Sequence, residues 1–290
     1  MEETIERFVI FLRNIKKVSE NTAVAYQRDL IKMKDYFLKQ GIESEDKITV
    51  TGMNTYLLWL EKSGCASTTI SRSIASMKAY FHYLLQTGVI RSDPAMLLKN
   101  PIVEKKEPRI LSLSQTESLL NAASGDSKKE IRDKAMLELM YATGIRVSEL
   151  ISLNLEDVNL AMGYIVVGKD RSKERIIPFG DSTRRVVYRY LSEARDSLLK
   201  DRESDIMFVN CSGKPMSRQG FWKIIKSYGR AAGIEEEITP QTLRHTFAYH
   251  LVEHGADLES VRDIMGHSVI ATTQTYMNMK QSKISRNNNL

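Results

Sequence analysis

Through the first hundred residues, apolar side chains return every three or four positions and rarely every second one, so the pattern predicts helices. Phe8, Phe11, Leu12 and Ile15 mark a first helix. Val24, Leu30, Ile31, Met33 and Phe37 lie along a second, for which Ser19-Glu20-Asn21-Thr22 offers a cap and Gly41 a stop. Two more follow, around Thr51 to Lys62 and Ser67 to Gln86, the latter with an apolar face of Ile70, Ile74, Met77, Tyr80, Phe81 and Leu84. A small domain of four or five helices is expected over residues 1–100.

The periodicity lapses between Asn100 and Ser112. Pro101 to Arg109 is charged and carries Pro101 and Pro108, which can neither continue a helix nor pack densely, so residues 101–111 read as a linker. Ser114-Gln115-Thr116-Glu117 then has the spacing of a capping box, in which serine and glutamate side chains satisfy each other's orphan amides. A second domain is expected over 112–290. It too is mainly helical, with one interruption: β-rich runs over Gly163 to Gly168 and Lys173 to Pro178 flank the polar Lys169-Asp170-Arg171-Ser172, which predicts a hairpin.

Near the end, Thr239 before Pro240 places an N-cap ahead of a proline at the first helical position. That helix holds Gln241, Arg244, His245 and Ala248 and stops at Gly255, with Gln241 and Arg244 three apart on one face. Asp257 caps another helix that ends at Gly266. His267 then falls in the following turn and Tyr276 on the next helical segment. The last asparagines, Asn287-Asn288-Asn289, are expected to fray.

The 290 residues are 42% hydrophobic and 27% charged with few glycines and prolines, which excludes a disordered or fibrous chain and leaves room for two cores. The acidic start, Met1-Glu2-Glu3-Thr4, lacks the basic and apolar regions of a signal peptide, and no window reaches the ~18 apolar residues of a membrane span. A cytoplasmic protein with no membrane partner is expected. Cys65 and Cys211 stand far apart with no C-x-x-C and no His at ligand spacing, so both are expected to be packing residues and no metal site is indicated. A net charge of +6 suits a polyanion such as DNA without identifying one.

Five stretches stand in order: Ala142-Thr143-Gly144-Ile145-Arg146-Val147-Ser148-Glu149-Leu150, Gly168 to Arg175 with Lys173-Glu174-Arg175, Leu243-Arg244-His245, Gly266-His267-Ser268, and Thr272-Thr273-Gln274-Thr275-Tyr276. In order and spacing they resemble the motifs of the tyrosine recombinases (the phage integrase family), nearest the Xer type, and the resemblance spans nearly the whole chain. It implies a mainly α protein, with an N-terminal helical core-binding (SAM-like) domain and a mixed, mostly helical catalytic domain carrying a small β-sheet or hairpin. It further implies a site-specific recombinase that cuts and rejoins DNA through a 3'-phosphotyrosyl intermediate without cofactors, serving chromosome dimer resolution in the Xer type.

Breaking a phosphodiester without a metal requires a nucleophile, cations for the charge on the non-bridging oxygens, and an acid for the departing 5' oxygen. By the resemblance, Tyr276 is the nucleophile, and its phosphotyrosine conserves the bond energy so that no ATP is needed. Arg146 and Arg244 supply planar forks that grip phosphate oxygens and stay charged at any working pH. Lys173 matches the family's lysine that protonates the leaving oxygen, with Lys169 ranked second; outside the motif Lys173 would read as a solvated hairpin charge. His267 is implied to hydrogen-bond the scissile phosphate, where a lone histidine after glycine would read as a helix-end cap. His245 accompanies the arginine as a structural residue and stays outside the catalytic set. Glu149 matches an acid that orients the site, and reads equally as a solvated charge.

Gln241 departs from the family, which usually has histidine there. A glutamine amide can bond a phosphate oxygen but cannot take the tyrosine proton, and if that transfer limits the rate the loss is of the order of 10² to 10⁴. Restoring an imidazole at 241 is therefore expected to accelerate cleavage. Three alternatives stay open: a mobile-element integrase, a sequence-specific DNA-binding protein with weakened or lost cleavage, and, disfavoured by the small size, a relaxing topoisomerase. The partners implied are double-stranded DNA at a specific inverted-repeat site, a homo-tetramer or a hetero-tetramer with a related recombinase on that DNA, and a septal DNA translocase. The segment from Met277 to Leu290 is implied to pack on a neighbouring protomer.

Overall fold

Ser19 and Thr49 each accept a hydrogen bond from a backbone N–H three residues ahead, of Thr22 and Gly52, and so open two of the helices in the first part of the chain. Caps of this kind are worth about 1 kcal/mol. The computed structural model describes residues 1–102, 107–168, 174–266 and 271–287, without the side chains of 271, 272 and 282–287. The chain divides into two units, Met1–Lys106 and Glu107–Leu290.

The first unit consists of α1 (Glu2–Asn14), α2 (Glu20–Lys39), α3 (Val50–Lys62) and α4 (Ser67–Gln86). Phe8, Leu12, Leu30, Met33, Phe37, Tyr56, Met77, Tyr80 and Phe81 are buried in one cluster. Each such side chain contributes roughly 1.5–3 kcal/mol by leaving water. The apolar stripe of α1 ends at Leu12: Ile15 lies at the C-cap and is exposed, as is Ile31 on α2.

The first helix of the second unit is capped two residues earlier than the sequence suggests. The capping box is Ser112 with Gln115, not Ser114 with Glu117: Ser112 Oγ accepts the Gln115 N–H at 3.1 Å and Gln115 Oε1 accepts the Ser112 N–H at 3.0 Å. This start lets Thr116, Leu119 and Leu120 turn inward together on α5 (Leu113–Ala122). There follow α6 (Lys128–Thr143), α7 (Val147–Ser152), β1 (Val158–Asn159), β2 (Tyr164–Val167), β3 (Arg175–Pro178), α8 (Asp181–Arg189), α9 (Arg195–Leu199), α10 (Arg218–Ala231), α11 (Pro240–Glu253), α12 (Leu258–Met265) and α13 (Ala271–Asn287). The predicted hairpin is β2 against β3, antiparallel, with Val166 opposite Ile176; β1, too short to leave a period in the sequence, adds a third strand. Ile165, Val167 and Ile177 turn into the same core as Met136, Leu139 and Leu150.

Side-chain caps fix the starts of α11 and α12. Thr239 Oγ1 accepts the Thr242 N–H at 3.1 Å and opens α11 at Pro240, and Asp257 Oδ1 accepts the Ser260 N–H at 2.8 Å and opens α12. Gly266 closes α12 with φ +59°, a left-handed conformation that favours glycine. Tyr276 on α13 is buried with Ala248, Val252, Val261 and Met265, which ties α11, α12 and α13 together. Cys211, expected to pack, is instead exposed, and its Sγ accepts from Arg132 Nη1 at 3.6 Å. Among the described residues no helix is long and apolar enough to cross a membrane.

Candidate active site

Gly144 ends α6 with φ +57°, and a Cβ there would stand 2.1 Å from the Phe247 ring, so only glycine admits this approach of α6 to α11. The turn delivers Arg146 to the N-cap of α7. Its backbone N–H donates to Glu149 Oε2 at 2.8 Å, Nη1 donates to Glu149 Oε1 at 3.0 Å, and Nη2 donates to the Gly266 carbonyl at 2.5 Å. Glu149 also receives Arg175 on both oxygens, Nη1 to Oε1 at 3.0 Å and Nη2 to Oε2 at 2.8 Å, the paired geometry that makes such bonds strong. Burial alone would raise the Glu149 carboxyl, but the Arg175 bonds and the Arg146 N–H more than offset it and hold the group below the usual carboxylate range. Glu149 is thus an anchored anion rather than a solvated charge.

Arg244 lies on α11, 3% exposed, and donates from Nη1 to the Gly144 carbonyl and from Nη2 to the Met265 carbonyl at 2.5 Å. Burial, and next the charge of Arg146, push its guanidinium down to about 10, which still leaves it protonated near neutral pH. Among the described residues, Arg146 and Arg175 both pair with the Glu149 carboxylate and Arg244 lies within its field, so three guanidiniums gather around one carboxylate. A partly buried excess of cations is costly without a counter-ion, so the arrangement suits an anion, and the forks of Arg146 and Arg244 match phosphate oxygens.

Tyr276 is 1% exposed, and its hydroxyl lies 2.6 Å from His245 Nδ1. Burial drives the phenol up to about 12, against a smaller opposing pull from Arg244. Burial and then Arg244 depress His245, which keeps its imidazole neutral at neutral pH. The sequence gives His245 no direct relation to the tyrosine; the structure gives it a hydrogen bond, made across α11 and α13. Adjacency to Arg244 is the only signal in the sequence, and it does not reveal which helix faces which.

Gln241 is exposed on the first turn of α11. It lines a cavity of about 360 Å³ with Val147, Arg218, Trp222, Thr239 and Pro240, and Val147 is the residue after Arg146. Arg146 and Arg244 therefore come together on the end of α12, Tyr276 meets His245, and Gln241 is exposed in the cavity beside Val147. Lys173, Lys169 and His267 lie outside the described residues.

Residues 109–283 match the phage integrase family, and residues 5–88 match the phage integrase N-terminal SAM-like domain. The chain is 42% identical over 286 residues to the tyrosine recombinase XerD of Oceanobacillus iheyensis, covering 98% of this chain and 96% of the relative. It is 40% identical to the XerD of Staphylococcus haemolyticus, again covering 98% and 96%. Among solved structures, the XerH site-specific recombinase in a post-cleavage complex with a palindromic difH substrate shares the fold, with TM-score 0.77, 19% identity and coverage of 100% and 84%. The XerA recombinase aligns with TM-score 0.54, 28% identity and coverage of 94% and 92%.

Proposed function

The chain belongs to the phage integrase family and is a tyrosine recombinase, an enzyme of site-specific DNA recombination, and on that premise we propose that Tyr276 is its nucleophile and Arg146 and Arg244 its phosphate clamp. The observation that carries this reading is two guanidiniums on adjacent carbonyls at the end of α12, one of which, Arg244, acts on a buried tyrosine whose hydroxyl is held by an imidazole. Backbone carbonyls occupy the donors that a phosphate would take.

In the reaction, the Tyr276 oxygen attacks phosphorus and the bond to the 5' oxygen breaks. Charge grows on the non-bridging oxygens, and Arg146 and Arg244 stabilise it, most strongly in the transition state. The phenol is too weak an acid to ionise by itself: a value of about 12 leaves roughly one molecule in 10⁵ ionised at pH 7. Its proton passes to the neutral His245 as the new bond forms. Lys173 delivers a proton to the departing 5' oxygen and His267 bonds the phosphate, in the roles that the family resemblance implies. The 3'-phosphotyrosine keeps the energy of the broken ester, so the 5' hydroxyl of a second strand reverses the step.

The relatives named XerD, similar along nearly the full chain, support an Xer-type role in chromosome dimer resolution on double-stranded DNA at an inverted-repeat site. Residues 1–100 and 112–290, joined by 101–111, then each bind the duplex, in a homo-tetramer or a hetero-tetramer with a related recombinase, acting in the cytoplasm with a septal DNA translocase. The test is a nicked duplex carrying a site selected by the protein from random-sequence DNA. A covalent protein–DNA adduct on a denaturing gel is expected; tight binding with no adduct would contradict the reading.

A further inference from the structure

Three successive carbonyls at the C-terminal end of α12 each receive a different arginine. Arg175 Nε donates to Ile264 O at 2.9 Å, Arg244 Nη2 to Met265 O at 2.5 Å, and Arg146 Nη2 to Gly266 O at 2.5 Å. Helix-end carbonyls are orphan acceptors carrying partial negative charge, so cations settle there. The three arginines are nevertheless not equivalent. Arg146 is 42% exposed at its side chain and can exchange its carbonyl for a phosphate oxygen, whereas Arg175 is 12% exposed and has both terminal nitrogens committed to Glu149. Its remaining edge is on Ile264. Its guanidinium also lies against Gly266, where a Cβ would stand 2.9 Å from Nη1 and 3.0 Å from Cζ.

We infer that Arg175 is a positioning residue for strand cleavage: it fixes Glu149, and through it Arg146, to the end of α12 that receives Arg244. The inference rests on the proposed phosphate clamp and extends it. Arg146 changes partners when phosphate arrives, and Arg175 keeps the frame that holds it beside Arg244. Displacements of about 1 Å in such a frame cost on the order of 10²-fold in rate.

The test uses the full chain, the selected and nicked duplex, and the variants Arg175→Ala and Arg175→Lys. Single-turnover cleavage by Arg175→Ala is expected to fall roughly 10²-fold while duplex affinity stays within about threefold. Millimolar guanidinium is expected to recover about tenfold of that loss without accelerating the wild type, because it refills the gap between Glu149 and Ile264. A lysine cannot span both edges, so Arg175→Lys should remain at least about tenfold slow, and it carries the test if the alanine variant does not fold. Cleavage by a folded variant within threefold of wild type would overturn the assignment. So would loss of binding in the same proportion with no recovery by guanidinium. Failure of the wild type itself to form an adduct would instead bring down the phosphate-clamp reading, and this one with it.

Discussion

His245 Nδ1 and the Tyr276 hydroxyl are 2.6 Å apart, so the buried phenol rests on an imidazole that its surroundings keep uncharged. A neutral imidazole can take a proton and an amide cannot. His245→Asn, which keeps a polar side chain of similar reach, is expected to slow single-turnover cleavage by about 10² to 10³ with little change in duplex affinity. His245 is depressed from its ordinary 6.5, so it protonates, and stops accepting, only below that pH. The cleavage rate of the wild type should therefore fall on the acid side below pH 6.5, and that limb should be missing in His245→Asn. A profile identical in the two proteins would exclude His245 as the acceptor.

Arg146 and Arg244 should separate in stability while agreeing in chemistry. Both alanine variants should lose more in cleavage than in binding, since the charge they meet develops in the transition state. Removing the buried Arg244 also leaves the Gly144 and Met265 carbonyls without their donor, at about 1–3 kcal/mol for each group left unpaired. Arg146 is largely open to water on one side, so its loss should cost under about 1 kcal/mol. Urea unfolding of the two variants checks the order.

Glu149 gives a stability that depends on pH. Its carboxyl is held below the ordinary 4.5, so the folded protein binds its proton less readily than the unfolded chain does. The stabilisation is complete above pH 4.5 and is lost as pH falls through the depressed value. Glu149→Gln should be less stable than wild type at pH 7, by up to about 3 kcal/mol, and the gap should close in acid. Unfolding curves stepped from pH 7 down to about pH 2 follow the closing of the gap.

Much of this frame is legible in the chain itself. The Thr239-Pro240 start, the Asp257 cap and the Gly266 stop are local devices, and local devices survive into the fold unchanged. The misplaced box shows the limit. Ser112 and Ser114 both have a suitable partner three residues on, and which one caps is decided by whether Leu119 and Leu120 reach the core, a tertiary matter. The same holds for the site. Arg146, Arg244 and Tyr276 stand out by motif, but Arg175 in a charged hairpin looks like any solvated arginine until α12 is folded against it. The pairing of His245 with Tyr276 exists only where α11 meets α13.

Gln241 is exposed beside Val147 and Trp222, and it is His245 that reaches the tyrosine hydroxyl. The structure therefore lowers the gain expected from an imidazole at 241. Gln241→His should change single-turnover cleavage by less than about threefold, well short of the 10² to 10⁴ that a newly positioned acid or base supplies. An acceleration of 10² or more would move proton acceptance from His245 to position 241.

The central claim is that Tyr276 carries the covalent bond to DNA, and the adduct itself settles it. The protein trapped on the nicked duplex would be digested with protease and nuclease, and the nucleotide-bearing peptide identified by mass spectrometry. The predicted result is a single modified peptide with the nucleotide on Tyr276, and no adduct from Tyr276→Phe although that variant still binds the duplex. A nucleotide on Tyr249 or any other residue, or an adduct that persists in Tyr276→Phe, would contradict the account.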